Sequence, residues 1–264
     1  MNRSASHTSS KIIWYHLDDP RNIGDQVCCP LDYFDLPGQC FNLREGVMNI
    51  SGDAIIFGGG GLFHEAETEK IGRIAQAARS LNPSTKLIAW GLGANQHGRT
   101  GFEYPEFIRE FDLVGIRDFG NPWEYVPCAS CVHPAFDTVR TPPIFDYVIY
   151  EHHRMPIPLS IAAPSLNNNL NRRLLGDVIA HLLSAEVVIT NSFHGVYWSL
   201  LLGRKVLIFK PFSNRFYGFS RRVVMCDESN WRERMREAQA HEDYLDECRA
   251  INHRFARRVR ELLF

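Results

Sequence analysis

Hydrophobic positions fall along this chain in short runs separated by polar, glycine-bearing loops. Residues 11–15, 53–57, 86–90 and 111–116 are mainly apolar runs of five or six residues, the length of buried strands. Between the second and third, Ile71, Ile74, Ala75, Ala78 and Leu81 recur at spacings of three or four, one face of a helix. Beyond Thr141-Pro142-Pro143 the pattern resumes. Residues 147–150, 186–190 and 205–209 read as strands. Leu174, Leu175, Val178, Ile179, Leu182 and Leu183 line one helix face, and 196–202 forms a second helix. Tyr244, Cys248, Ile251, Phe255, Val259 and Leu262 mark a C-terminal helix. Apolar strands alternating with amphipathic helices predict an α/β protein with parallel sheets covered on both faces. The expected organisation is two Rossmann-like halves, residues 11–142 and 143–264, the second closed by the C-terminal helix. Residues 1–10 are polar and serine-rich, without the apolar stretch of a signal peptide. They read as a disordered tail on a cytoplasmic protein.

Composition removes several function classes. Lys and Arg total 29 against 30 Asp and Glu, a net charge of -1, which argues against general nucleic-acid binding. No apolar run reaches the ~18 residues that a membrane-spanning helix needs. There are seven cysteines, and Cys128 and Cys131 form one isolated CxxC. A zinc ribbon needs a second such pair, so reduced thiols and no metal are expected.

In parallel α/β sheets ligands bind at the carboxyl ends of strands, and the polar loops here fall at such ends. Gly58 to Gly61 lets a backbone approach an anion closely, which makes Gly59 and Gly60 candidate ligand-binding residues. It lacks the lysine of a phosphate-binding loop and also fits a tight strand-to-helix turn. Asn191 and Ser192 lead into a helix whose N-terminal end favours anions, and His194 can move a proton near neutral pH. The plainer reading is a helix cap. Asn22 and Asp25 flank Gly24, as in an Asx turn; Asp25 also suits a general base. His152 and His153 end a strand. Arg117, Lys210 and Arg215 are candidate partners for phosphate or carboxylate, although any one of them taken alone reads first as a solvated surface charge. Together these features describe a cleft between two halves that handles an anionic small molecule.

The ordered set Asn22-Ile-Gly-Asp25, Gly58 to Gly61, Gly91-Leu-Gly93, Arg117-Asp118 and Thr190-Asn-Ser-Phe-His194-Gly195 resembles the polysaccharide pyruvyltransferase family, over roughly residues 11–220. The run through Trp198, Gly203, Arg204 and Lys205 to Lys210 belongs to the same likeness. The resemblance implies a compact version of the B-type glycosyltransferase architecture and phosphoenolpyruvate as donor substrate, with no cofactor or metal. It implies ketal transfer onto O4 and O6 of a terminal mannose in a lipid-linked oligosaccharide acceptor, a xanthan-type exopolysaccharide repeat. His194 is then the expected acid or phosphate ligand, Asp25 the base, and His153 a second choice of base. Asn22, Gly59, Gly60, Asn191 and Ser192 are expected on the donor side. Many members carry Arg-Leu-His-Gly where this chain has Ser192-Phe193-His194-Gly195, so Lys210, Arg215 or Arg117 is expected to supply the missing charge.

A lipid-linked acceptor also implies peripheral contact with the cytoplasmic face of the inner membrane. From residue 249 onward five arginines face one acid, Glu261. Arg254, Arg257 and Arg258, with Leu262 and Phe264, could form a basic amphipathic membrane helix; packing of that stripe on the protein is the alternative. Two other function classes remain open. One is a nucleotide-sugar glycosyltransferase, the other an inactive carbohydrate-binding subunit.

Overall fold

A computed structural model describes residues 11–45, 49–139, 141–159 and 163–264. The tail expected at residues 1–10 lies outside them.

The apolar runs form two parallel sheets. The first contains β1 (Ile12–His16), β2 (Gln39–Asn42), β3 (Ala54–Gly58), β4 (Lys86–Leu92), β5 (Leu113–Ile116) and β6 (Glu124–Tyr125), in the order β2-β1-β3-β4-β5-β6. The second contains β7 (Phe145–Glu151), β8 (Ser165–Asn167), β9 (Ala185–Thr190), β10 (Lys205–Phe209) and β11 (Val224–Cys226), in the order β11-β10-β9-β7-β8. Read from β8, this repeats the order of the first sheet's first five strands. The topology is duplicated although the sequence shows no repeat. Among the described residues six α-helices accompany the sheets: α1 (Ile23–Gln26), α2 (Glu65–Leu81), α3 (Leu175–Leu183), α4 (Phe193–Leu201), α5 (Trp231–Arg234) and α6 (Tyr244–Leu263). The architecture is Rossmann-like α/β.

Strands buried on both faces explain the unbroken apolar runs. Along β1, Ile13 and Tyr15 pack with Ile71 and Ile74 of α2, while Ile12 and Trp14 face Ile251 and Phe255 of α6. In the second sheet Val148, Tyr150 and Val188 meet α3 and α4, and Ile149, Ile189 and Leu207 meet Trp231 of α5. The chain leaves α2 at Asn82, which is extended, as expected before Pro83.

The C-terminal helix differs from expectation. Tyr244 and Cys248 pack with the second half, but Ile251, Phe255, Ala256 and Val259 cover the first sheet. The buried Asn252 accepts a hydrogen bond from Trp90 Nε1 at 3.2 Å and donates to the Pro127 carbonyl at 3.1 Å, fixing the crossing. The apolar stripe proposed for a membrane is therefore used in the core. Leu262 packs against the same cluster, and only Phe264 at the helix end is exposed. Arg254 and Arg258 both pair with Glu124. No helix among the described residues is long and apolar enough to cross a membrane.

Smaller differences have local causes. α4 begins at Phe193 instead of 196, because Ser192 caps it by accepting from Gly195 N. Leu174 sits on a 3-10 turn before α3 and is largely exposed, as is Leu81 at the end of α2.

Candidate active site

Each sheet has a switch point. In the first, β1 leads to β2 on one side while β3 pairs on the other. In the second, β7 leads to β8 while β9 pairs on the other side. Such points are where open α/β sheets bind ligands. The loops leaving β1, β3, β7 and β9 all line one cavity of about 280 Å³. A larger surface hollow of about 660 Å³ lies elsewhere. It is mostly apolar and its one carboxylate, Asp137, is paired with Arg249 at 2.8 Å, so it lacks converging polar groups.

His194 occupies the first turn of α4 and is 5% exposed. Its ring packs against Trp198, centroids 5.0 Å apart, and its Nε2 lies 3.5 Å from Cys128 Sγ. Burial raises the Cys128 thiol, but hydrogen bonds from Cys28 and His194 outweigh it and pull the thiol well below its ordinary value. The other side of the imidazole fits against Gly24: a Cβ there would stand 2.0 Å from His194 Nδ1. Gly24→Ala must displace the imidazole or the α1 loop, and overpacking of this kind costs about 1–3 kcal/mol. Loss of thermal stability together with loss of turnover is expected; an unchanged melting temperature would show that the loop yields freely.

Asn22 organises the loop after β1. Its Oδ1 accepts from Gly24 N at 3.2 Å and from Asn168 Nδ2 at 3.1 Å, and its Nδ2 donates to Asp25 Oδ2 at 2.9 Å. Burial pushes the Asp25 carboxyl above its usual range, against the opposing charges of His194, His16, Arg215 and Arg117.

Two arginines complete the site. Arg117 is 4% exposed, with its guanidinium 3.8 Å above the Phe193 ring. Cβ atoms at Gly61 and Gly93 would stand 2.8 Å from its Nη2 and 2.4 Å from its Nε. The glycine runs after β3 and β4 therefore make room for an arginine. Arg215 lies over Phe212 and Phe216, at 4.8 and 5.0 Å. Burial and then the charge of Arg117 push it down to about 9. The Nε atoms of both are buried without a hydrogen-bond partner. Among the described residues neither forms an ion pair with a carboxylate, whereas Arg44, also at the cavity, is neutralised by Asp19 at 2.5 Å.

Asp118, beside Arg117, is fully buried and outside the cavity. Its Oδ2 accepts from Ala94 N at 2.6 Å and from Tyr104 OH at 3.2 Å, while Oδ1 has no partner. Burial lifts its pKa from 3.8 to about 6, against the pull of Arg117 and these two donors. A carboxyl raised on folding contributes stability that is fully present below its unfolded pKa and is lost as pH rises through about 6. The stability difference between the wild type and Asp118→Asn should therefore change by roughly 3 kcal/mol across this window. Parallel pH profiles in denaturant titrations would contradict it.

Of the residues singled out from sequence, His194, Asp25, His153, Asn22, Ser192, Arg117 and Arg215 line the cavity. Four do not. Lys210 pairs with Glu228 at 2.5 Å. Gly59 and Gly60 have positive φ, and Gly59 serves a close chain crossing: a Cβ there would stand 2.2 Å from the Cys28 carbonyl oxygen. Asn191 is buried behind the site, accepting from His152 N at 2.8 Å and donating to the Met155 carbonyl at 2.7 Å. His153 Nδ1 is 2.8 Å from Asn168 Oδ1. Asn168 itself was missed. It is 2% exposed and joins Asn22 of the first half to His153 of the second. The run Asn167-Asn168-Asn169 after a short strand was its only signal. Among the described residues no group of three or more His, Cys, Asp or Glu is placed to hold a metal ion.

Fold and site together define a two-sheet α/β protein with a cationic cleft between its halves. No protein-family model matches the chain, and no curated protein matches it. Among solved structures, an uncharacterized protein from Klebsiella pneumoniae is similar to it at 19% identity. The likeness covers 83% of this chain and 92% of that one, with a TM-score of 0.48.

Proposed function

We propose that the protein is a ketal pyruvyltransferase, moving pyruvate from phosphoenolpyruvate onto two hydroxyls of one sugar. The observation that carries this reading is the pair Arg117 and Arg215: a buried and a half-buried arginine, each with an unpartnered buried Nε and no carboxylate ion pair, in one small cavity with His194 and Asp25. Phosphoenolpyruvate presents a phosphate and a carboxylate on three carbons, which suits two converging cations. The cations absent at Ser192 are then supplied from the loops after β5 and β10. The pairing of two similar sheets, with α6 crossing back to the first, supports an arrangement like that of the B-type glycosyltransferases.

His194 donates a proton to the methylene carbon of phosphoenolpyruvate. Positive character develops at C2, and the first sugar hydroxyl adds there as Asp25 takes its proton. The C2–O bond to phosphate breaks, and the second hydroxyl closes the ketal ring. Of the two hydroxyl protons released, one balances that given to the methylene and the other leaves with the phosphate. Arg117, Arg215 and the N-terminal end of α4 hold the departing anion, where preorganised donors act most strongly. The raised carboxyl of Asp25 makes it a better base than an exposed aspartate. The acceptor in this reading is a terminal mannose, at O4 and O6, of a lipid-linked exopolysaccharide repeat. It is met at the cytoplasmic membrane surface without α6 as an anchor.

The test is phosphate release from phosphoenolpyruvate with and without acceptor, beside thermal shifts with nucleotide sugars. Acceptor-dependent release is expected. Stabilisation by a nucleotide sugar, with no response to phosphoenolpyruvate, would replace this reading with a glycosyltransferase.

A further inference from the structure

The cavity contains a second set of side chains that the donor chemistry does not use. His64, His97, Phe212, His152 and His153 follow one another as a row of five rings. Neighbouring centroids are 5.3, 5.3, 6.0 and 4.9 Å apart, and all five residues line the cavity. The first two rings come from the first half of the chain and the other three from the second.

The row is fixed by backbone. Gly98 N donates to the Phe212 carbonyl at 3.0 Å, and His97 forms a β-bridge with Ser213. The fully buried Asn214 accepts from Gln96 N at 2.8 Å and donates to the Gly101 carbonyl at 2.8 Å. At the other end His153 is held by Asn168.

Its chemistry is not that of another anion site. Burial first, then neighbouring positive charge, lowers the pKa of His97, and that of His152 falls to about 4. Both rings are neutral near pH 7. Neutral imidazoles and a phenyl ring offer π faces together with ring nitrogens that donate or accept hydrogen bonds. Glu67, with Oε2 3.7 Å from His64 Nδ1, adds a carboxylate acceptor at one end of the row. Apolar faces mixed with short-range hydrogen-bonding groups match a pyranose ring, which has C–H faces and a rim of hydroxyls.

We propose that the row from His64 to His153 is the acceptor subsite, binding one neutral pyranose ring beside the donor pocket. This rests on the pyruvyl-transfer reading for what the sugar does, but the binding itself can be read without turnover. His97→Leu and His64→Leu remove a ring and its nitrogens and leave the donor residues in place. Each should raise the acceptor KM by about tenfold, with the phosphoenolpyruvate KM and kcat within about twofold of wild type. His97→Phe should recover part of the loss. In parallel, saturation-transfer NMR with methyl α-D-mannopyranoside should show contact in the wild type and a weakened signal in both leucine variants. If phosphoenolpyruvate neither binds nor releases phosphate, the transfer reading fails while the NMR still reports on the subsite. Absence of glycoside contact in the wild type, or equal contact in wild type and variants, overturns the subsite itself.

Discussion

Replacing His194 with alanine is expected to lower kcat by about 10²–10⁴-fold, the range for loss of a general acid. The ring is held between Trp198, Cys128 and the bare backbone of Gly24, with its remaining edge on the cavity. The pattern of the loss separates its two possible duties. Loss of the acid lowers kcat with little change in the phosphoenolpyruvate KM. Loss of a phosphate ligand raises that KM as well. His194→Gln keeps a hydrogen-bond donor but cannot deliver a proton at neutral pH. It should restore the KM and leave kcat low if the imidazole is the acid. Thermal unfolding of both variants guards against a trivial loss of fold. Turnover near that of the wild type in the alanine variant would remove His194 from the mechanism.

The strands visible in sequence were those whose position forces an apolar run. β1, β3, β9 and β10 lie inside their sheets and are buried on both faces, so nearly every residue is apolar. β2 and β8 lie at edges and are half-exposed, and β6 has only two residues. Nothing in their composition separates them from loops. The site was legible to a similar depth. The loops after the central strands could be found because glycine and polar residues interrupt apolar runs there, but a glycine does not reveal what approaches it. Gly59 and Gly60 were the glycines expected at the ligand, whereas it is Gly61 and Gly93 that border Arg117 and Gly24 that borders His194. The three candidate cations were equivalent in sequence. What separates Lys210 from the two arginines is Glu228, a partner on another loop. The C-terminal stripe shows the same limit. Amphipathicity states that a helix face is covered, and only the packing of Phe255 against Trp90, with centroids 5.3 Å apart, shows that a sheet covers it.

The arginine pair makes the strongest prediction on stability and function together. Hydrogen bonds to charged groups contribute about 1.5–3 kcal/mol each, so Arg117→Met or Arg215→Met should raise the phosphoenolpyruvate KM by roughly 10- to 150-fold. The double variant should bind no donor at accessible concentrations. Methionine preserves much of the contact with Phe193 or Phe212, so packing changes little. Without ligand, the two guanidiniums repel each other, which is part of why Arg215 is held down at about 9. Arg215→Met should therefore leave the ligand-free protein at least as stable as the wild type, the opposite of what removal of a structural ion pair would do. Phosphoenolpyruvate, and more weakly inorganic phosphate, should raise the melting temperature of the wild type by binding only the folded state. That rise should disappear in the double variant. A wild-type donor KM in both single variants would show that these arginines do not hold the donor. A marked drop in ligand-free stability would show instead that the fold needs their charge.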